Sequence, residues 1–180
     1  MEIAFLESFS SLHCKFLDVI MLFFTYIGEV GVIWIVLAVI LLFFSKTRKC
    51  GIYLAIALIL DALLVNLLIK NIVKRERPFE YSEKLKDYIL YLKYKLPKDY
   101  SFPSGHTAVS FCASTVLTYF YKKKAIPAII VTIIIALSRL YIGVHYPTDV
   151  LLGAIIGVVI GVGSIFISNY FLSIIKKNNK

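Results

Sequence analysis

Apolar runs of membrane-spanning length follow one another along the chain and constrain its fold more than any other feature. The runs are 13–27, which Asp18 interrupts, 30–44, 51–69, 104–121, 125–137 and 146–175. Inside a bilayer the backbone must satisfy its own hydrogen bonds, and a helix of about 20 apolar residues does so across the hydrocarbon core. The pattern therefore predicts a single all-α domain, residues 1–180, folded as a polytopic membrane helix bundle.

The composition agrees with this class, since 59% of the residues are hydrophobic and only 17% are charged. Soluble domains are nearer to about half apolar and a quarter charged. Five or six spans both fit the runs. We favour about six transmembrane helices, with residues 1–12 along the membrane interface and both termini in the cytoplasm. Glu2 and Glu7 stand where a signal peptide has basic residues, so we expect no cleaved leader.

The formal net charge of +9 does not indicate nucleic-acid binding, because the basic residues cluster at the ends of apolar runs. One set of ends carries nine Lys and Arg residues and no acidic residue: Lys46, Arg48, Lys49, Lys122, Lys123, Lys124, Lys176, Lys177 and Lys180. The opposite connection, 78–102, mixes lysines with Glu and Asp. Cytoplasmic loops are enriched in Lys and Arg. We therefore expect the first set and the C-terminus in the cytoplasm, and the long connection outside.

The long connection contains tyrosines at every third position, Tyr88, Tyr91 and Tyr94, among lysines and aliphatic residues. An interfacial helix has this pattern, because aromatic rings and lysine stems both lie well at the membrane surface. A solvated loop flanked by interfacial aromatics fits the same residues. Both interpretations are open from the sequence.

The most informative polar stretch lies between the last two apolar runs and contains Arg139, His145 and Asp149. If Pro147 opens a helix, His145 and Asp149 lie four residues apart on one face, within hydrogen-bond reach. A carboxylate on one imidazole nitrogen leaves the other nitrogen free as a base or nucleophile. Arg139 offers a charged fork suited to phosphate. The alternative is a capping aspartate and a snorkelling arginine.

Two further clusters lie at the same predicted membrane face. Lys70 and Arg77 are separated by nearly two helical turns, which predicts a shared face about 10 Å apart along the axis, and Pro78 disfavours helical geometry at Arg77. Such cations are also common simple stop signals for a span. Ser104 precedes an apolar run as a good N-cap, and Gly105 and His106 then open a helix whose first amides can bind an anion.

Together the three clusters predict a site that binds a tetrahedral phosphate and breaks an ester bond with two histidines, one as nucleophile and one as acid. The reactive set is Lys70, Arg77, Ser104, Gly105, His106, Arg139, His145 and Asp149. The cysteines, histidines and carboxylates show no metal-type spacing. The residues therefore predict phosphate chemistry without a metal.

These clusters resemble the three motifs of the type 2 phosphatidic acid phosphatase family, which also includes vanadium haloperoxidases. The matching residues run from Lys70 to Asp149, in the family's order and spacing. The resemblance implies that His145 attacks phosphorus and forms a phosphohistidine, with Asp149 orienting it and His106 protonating the leaving oxygen. It assigns phosphate binding to the remaining members: Lys70, Arg77, Ser104, the Gly105 amide and Arg139. It implies no cofactor, and the spans argue for the membrane branch.

The resemblance also bounds the substrate. Family members act on phosphatidic acid, phosphatidylglycerophosphate, polyprenyl diphosphates, lipid A and sphingoid phosphates, so we expect a membrane lipid phosphatase with an outward-facing site. Some undecaprenyl diphosphate phosphatases carry Asp at the position of Gly105, which favours the phospholipid phosphatases slightly. Undecaprenyl diphosphate as the specific substrate, or transfer of phosphate to another lipid, stays an alternative. A small transporter, using the intramembrane Asp61 and Asn66, is the rival class.

Overall fold

The chain forms a helical bundle in which every regular element within residues 1–178 is helical. The structure, a computed structural model, describes the backbone of residues 1–178 and the side chains as far as Ile174. The helices are α1 Glu2–Ser10, α2 Lys15–Ile27, α3 Val32–Phe43, α4 Arg48–Asp61, α5 Lys70–Val73, α6 Glu83–Tyr91, α7 Gly105–Tyr121, α8 Ile126–Ile142 and α9 Pro147–Asn178. A π-helical segment, Ala62–Ile69, joins α4 to α5. The predicted all-α membrane bundle is confirmed.

Three helical stretches are long and apolar enough to cross a membrane: Arg48–Glu80, Gly105–Ile142 and Pro147–Ile174. A fourth is formed by α2 and α3 together, which bend by 47° at the break between them. The second stretch reverses direction at a short 3₁₀ turn, Lys122–Ala125, and the hydroxyl of Thr132 in α8 donates to the carbonyl of Ser110 in α7 at 3.1 Å. Splitting it there gives five candidate passes.

Five passes correspond to the alternative with fewer spans, not to the six that we favour from the sequence. α2 has 13 residues, or about 20 Å of helix, and is too short to cross alone. Gly31 with a φ of +72° lets the chain bend into α3 without turning back. As a result Glu2 lies beside Thr148, at the end of the bundle where α9 begins, with 3.1 Å between the Thr148 amide and the Glu2 carboxylate.

Asp18, which interrupts the first apolar run, is buried in the bundle and hydrogen-bonded. Its carboxylate accepts a hydrogen bond from the Tyr141 hydroxyl at 2.7 Å and a longer one from the Tyr88 hydroxyl at 3.3 Å. Both tyrosines therefore compensate for the loss of water around the carboxylate. Tyr88 belongs to α6, so the Asp18 contact holds the long connection against α2 and α8.

Glycines spaced by four residues on α9, Gly153, Gly157 and Gly161, bring that helix against α7. A Cβ atom at Gly157 would lie 2.2 Å from the carbonyl oxygen of Ala108, and one at Gly153 would lie 3.0 Å from that of Ser104. Only glycine allows such backbone contact. The close approach also places the start of α7 beside the start of α9, where the Ser104 amide donates to the Asp149 carbonyl at 3.1 Å.

The long connection combines both structures that the sequence left open. Its first half forms α6, which Ser82 caps by accepting from the Leu85 amide at 3.3 Å, and which buries Leu85, Tyr88 and Ile89. The second half, 92–104, has no regular helix and returns along the bundle to α7. This returning loop forms one wall of the site.

Candidate active site

Three buried cations face one cavity at the end of the bundle where α7 and α9 begin. Lys70, Arg77 and Arg139 are basic side chains, yet they are only 5%, 4% and 1% exposed. The cavity has a volume of about 1090 Å³, and both predicted histidines, His106 and His145, also line it. Burial of three like charges around an open space favours an anion as the occupant.

Lys70 and Arg77 reach the cavity by a different route from the predicted one. The helix does not continue for two turns: α5 ends at Val73, and Lys74 takes a left-handed conformation with a φ of +50°. Arg77 is extended, with φ −84° and ψ +154°, as the following Pro78 requires. The two side chains therefore converge from a helix end and an extended segment, not from one helical face.

The π-helical segment explains why Asp61 and Asn66 also line the cavity. Asp61 and Lys70 are nine residues apart, which is two and a half turns of an α-helix, so regular α geometry would place them on opposite faces. Hydrogen bonds from i to i+5 widen the turns and bring residues five apart into line. Asp61, Asn66 and Lys70 therefore share one face. A transporter reading of Asp61 and Asn66 is not needed, because they belong to the same site as the histidines.

The start of α7 contributes Gly105 and His106 to the cavity lining, whereas Ser104 is fully buried and does not line it. Ser104 occupies the predicted N-cap position, but its hydroxyl is fully buried and accepts from Thr107 at 2.9 Å instead of capping the helix. A Cβ atom at position 105 would lie 3.0 Å from the side-chain oxygen of Asn66, so glycine fits here. The Nε2 atom of His106 has no hydrogen-bond partner among the described residues.

His145 and Asp149 lie close together because Pro147 opens α9, as predicted. The distance from His145 Nδ1 to Asp149 Oδ2 is 3.5 Å, which is longer than a good hydrogen bond. Oδ2 already accepts from the Tyr146 amide at 3.0 Å and from the hydroxyl of Ser101. Asp149 thus caps α9 and faces the imidazole at once, so both interpretations of this residue describe part of its environment.

The other nitrogen of His145 faces the cations. Arg77 Nη1 lies 3.3 Å from Nε2 and also donates to the Val144 carbonyl at 2.7 Å. A guanidinium has only donors, so this contact requires an unprotonated Nε2 and leaves the ring proton on Nδ1, toward Asp149. Burial lowers the pKa of His145 well below its ordinary value, and Arg77, Arg139 and Lys70 lower it further. A neutral imidazole thus directs the lone pair of Nε2 toward Arg77 at the edge of the cavity.

Several residues that contact the reactive set lie outside the three sequence clusters. Arg75 donates to Asp149 Oδ1 at 2.7 Å and to Glu2 at 2.7 Å. Arg75 and Arg77 lie two apart in an extended segment; one contacts Asp149, the other His145. The Arg-Glu-Arg-Pro run could therefore have indicated both. Arg139 is held by the hydroxyls of Thr25 and Tyr94, the second at 3.1 Å.

The space between the cations holds a side chain of the protein itself. Asp99 lies in the returning loop. One of its carboxylate oxygens accepts a hydrogen bond from Arg77 Nη2 at 2.7 Å, and the other accepts one from Lys70 Nζ. The main-chain carbonyl of Asp99 accepts from Arg77 Nε at 2.8 Å. Among the described residues, no group of three or more His, Cys, Asp and Glu side chains is arranged to hold a metal ion. The contacts of Asp99 show that Lys70 and Arg77 together hold a carboxylate.

Comparison with known proteins gives the same picture. The profile of the PAP2 superfamily matches residues 50–173, more than half of the chain. An undecaprenyl-diphosphatase of Sulfolobus acidocaldarius is 37% identical over 126 residues, which are 69% of this chain but 58% of that protein. Undecaprenyl-diphosphatase BcrC of Bacillus subtilis is 31% identical over 149 residues, 83% of this chain and 74% of that protein. The chain thus spans less than two thirds of the first relative and about three quarters of the second.

A solved structure extends the similarity to the whole bundle. The crystal structure of a transmembrane PAP2-type phosphatidylglycerolphosphate phosphatase from Bacillus subtilis superposes with a TM-score of 0.68 at 26% identity. The superposition covers 94% of this chain and 85% of the other. The covered share is larger than the part of the chain, residues 50–173, that the family profile matches.

Proposed function

Because the chain belongs to the PAP2 superfamily, we propose that it is an integral-membrane lipid phosphatase that cleaves a phosphomonoester or diphosphate through a phosphohistidine. One observation carries the proposal: the unprotonated Nε2 of a buried, neutral His145 faces a cavity lined by three buried cations. That arrangement supplies a nucleophile and charge stabilisation at one point.

The reaction proceeds in two displacements. Lys70, Arg77 and Arg139 bind the phosphate oxygens, together with the Gly105 amide, while Nε2 of His145 attacks phosphorus. The P–N bond forms as the P–O bond to the lipid breaks, and His106 gives its proton to the leaving oxygen. Positive charge on the phosphorylated ring is balanced by Asp149 through Nδ1–H.

Water then completes the cycle. His106, now neutral, accepts a proton from a water molecule that attacks phosphorus, and the P–N bond breaks to regenerate His145 and release inorganic phosphate. Ser104 supports this step from behind the wall, because its buried hydroxyl and its amide fix the start of α7 against Asp149. These contacts give Ser104 a role in positioning, and the direct phosphate contact that the resemblance implies stays a prediction.

The substrate carries an apolar tail. Val30, Ile35, Leu58 and Val109 also line the cavity, which suits a lipid chain. Two relatives are named undecaprenyl-diphosphatases, which favours undecaprenyl diphosphate as a second specific candidate beside phosphatidylglycerophosphate. Asp at position 105 would meet Asn66, so the glycine here indicates local packing as much as substrate choice.

The decisive experiment is phosphate release by the purified protein from a panel of lipid phosphates, with and without EDTA. We expect release that survives the chelator and is inhibited by vanadate, a mimic of the five-coordinate transition state. The His145→Ala variant is the matched control. Release that needs added magnesium, or that survives in His145→Ala, would contradict the mechanism.

We also propose that the site faces outward. At the opposite end of the bundle, Lys46 and Lys122–Lys124 form basic turns without acidic residues, which suits the cytoplasmic side. A protein with Cys14→Ser and Leu90→Cys tests this, because Leu90 is 54% exposed in α6 and the other native cysteines are buried. We expect labelling by an impermeant thiol reagent in intact cells. Labelling only after permeabilisation would show that the site faces the cytoplasm.

A further inference from the structure

The Asp99 carboxylate occupies the place where a phosphate would bind. Its two oxygens divide between Lys70 and Arg77, as two oxygens of a phosphate would. The cations are almost completely buried, but the Asp99 side chain is 56% exposed. A carboxylate that enters the site from the solvent side can leave by the same route.

The loop that carries Asp99 is attached to the site at both ends. Before Asp99, the Tyr94 hydroxyl lies 3.1 Å from Arg139 Nη1. After it, the Ser101 amide donates to the Arg75 carbonyl at 2.8 Å, and the Ser101 hydroxyl donates to Asp149. The carboxylate can therefore rotate away from the cations without detaching the loop.

We propose that Asp99 is a tethered competitor of the substrate, which neutralises the empty phosphate site and must be displaced by each incoming phosphate. This inference rests on the proposed function, since it needs a phosphate as the natural occupant. Three buried cations without an anion would destabilise the fold, because an uncompensated buried charge is costly. Burial alone would raise the pKa of Asp99, but Arg77 and Lys70 hold it well below its usual range, so the competitor stays charged.

The proposal makes a quantitative claim. Only molecules with Asp99 displaced can bind, so the apparent dissociation constant of any oxyanion is the intrinsic one divided by the displaced fraction. If about nine molecules in ten are closed, removal of the charge tightens binding about tenfold. Free protein should become less stable at the same time. A residue that only positions Lys70 and Arg77 would have the opposite effect on affinity.

The test compares Asp99→Asn with Asp87→Asn, which removes the same charge from an exposed position of α6 where no described side chain forms an ion pair with it. Binding of inorganic phosphate and of vanadate to purified protein is measured by calorimetry, without any lipid. We expect Asp99→Asn to bind both anions about tenfold more tightly, to melt at a lower temperature when free, and to regain stability with phosphate. Asp87→Asn should match the wild type.

Equal or weaker binding by Asp99→Asn would overturn the proposal. If that variant does not fold, carbodiimide labelling of the wild-type Asp99 carboxylate, read by mass spectrometry, decides: vanadate should accelerate the labelling, and unchanged or slower labelling would contradict displacement. Failure of the proposed function looks different. In that case wild type and both variants bind neither anion and release no phosphate from lipids, which would overturn both ideas together.

Discussion

The two sides of the site hold their charges in different ways. On the cavity side, Lys70 and Arg77 share the exposed carboxylate of Asp99, which comes from a loop. Behind the wall, the carboxylate of Asp149 is fully buried and receives hydrogen bonds from Arg75, Ser101 and the Tyr146 amide. The cations on the cavity side therefore share one exposed partner, whereas Asp149 has partners from three parts of the chain.

This difference corresponds to what each side must do. In the proposed mechanism the phosphate side loses its anion whenever substrate enters, so an exposed carboxylate is useful there. The Asp149 side must keep one geometry while charge develops on His145, because electrostatic catalysis needs dipoles and charges that do not reorganise. Substitutions behind the wall should therefore lower kcat with little change in KM.

The largest effect separates the two histidines. His145→Ala should abolish turnover of every substrate, because no P–N bond can form. His106→Ala should lose about 10²–10⁴-fold on an alkyl phosphate, which needs a proton on its leaving oxygen, and less on a p-nitrophenyl phosphate, whose leaving group is acidic. Single-turnover measurement of the first step keeps slow phosphoenzyme hydrolysis from hiding the contrast. Equal losses of His106→Ala on both substrates in that step would contradict the assignment of His106 as the general acid.

Asp149→Asn should cause the second-largest loss of kcat. The amide keeps the size but not the charge, and it can stabilise the tautomer with the proton on Nε2, where the attack occurs. In a serine-protease triad this change costs about 10⁴ in kcat, and we expect about 10²–10⁴ here with KM little altered. Asparagine caps helices about as well as aspartate, so wild-type kcat in a folded mutant would reduce Asp149 to a cap.

Arg75→Gln should have an intermediate effect. It removes the charged partner of Oδ1, and a buried carboxylate without that partner will shift its position relative to His145. We expect kcat to fall by about 10–100-fold, as is common when an orienting residue is lost, with KM unchanged and partial recovery in Arg75→Lys. A change confined to KM would instead place Arg75 in contact with substrate.

The motifs placed the reactive residues well but not the residues around them. The clusters of charged residues between apolar runs predict one shared membrane face. The structure brings five of their members to one cavity: Lys70, Arg77, His106, Arg139 and His145. The π-helical register that aligns Asp61 with Lys70 depends on a hydrogen-bond shift, which the apolar pattern of that run does not encode.

Two other features depend on contacts far apart in sequence. The competing carboxylate of Asp99 is one of several acidic residues in a mixed connection, and nothing local distinguishes it. The predicted placement of both termini on one side of the membrane depends on counting α2 and α3 as two spans, whereas the structure places Glu2 at the end of the bundle where α9 begins. Asp18 interrupts the first apolar run. Only the structure shows that this run continues through the Gly28–Gly31 bend into the second run, so that the two can form one span.

The smallest effect concerns Glu2, which joins α1 to the Asp149 side. Its carboxylate accepts from Arg75 at 2.7 Å and from the Thr148 hydroxyl at 2.8 Å. Because its side chain is 33% exposed, solvent screens the pair, and we expect Glu2→Gln to cost about 0.5–1 kcal/mol. That is about 1–4 °C in Tm for a chain of this length. Activity should fall by no more than a few-fold, far less than in Arg75→Gln.

The pH dependence of that loss identifies its cause. Burial alone would raise the pKa of Glu2, but hydrogen bonds from Thr148 and Arg75 hold it below its ordinary value. A lowered pKa contributes stability that is present above the unfolded pKa, about 4.3, and is lost as pH falls through the folded value. The Tm difference between wild type and Glu2→Gln should thus be present at pH 7 and shrink below about pH 4, whereas Glu80→Gln, at an exposed position without an ion pair among the described residues, should show none. A pH-independent difference would mean that Glu2 acts through the packing of α1, and that the charges behind the wall end at Arg75.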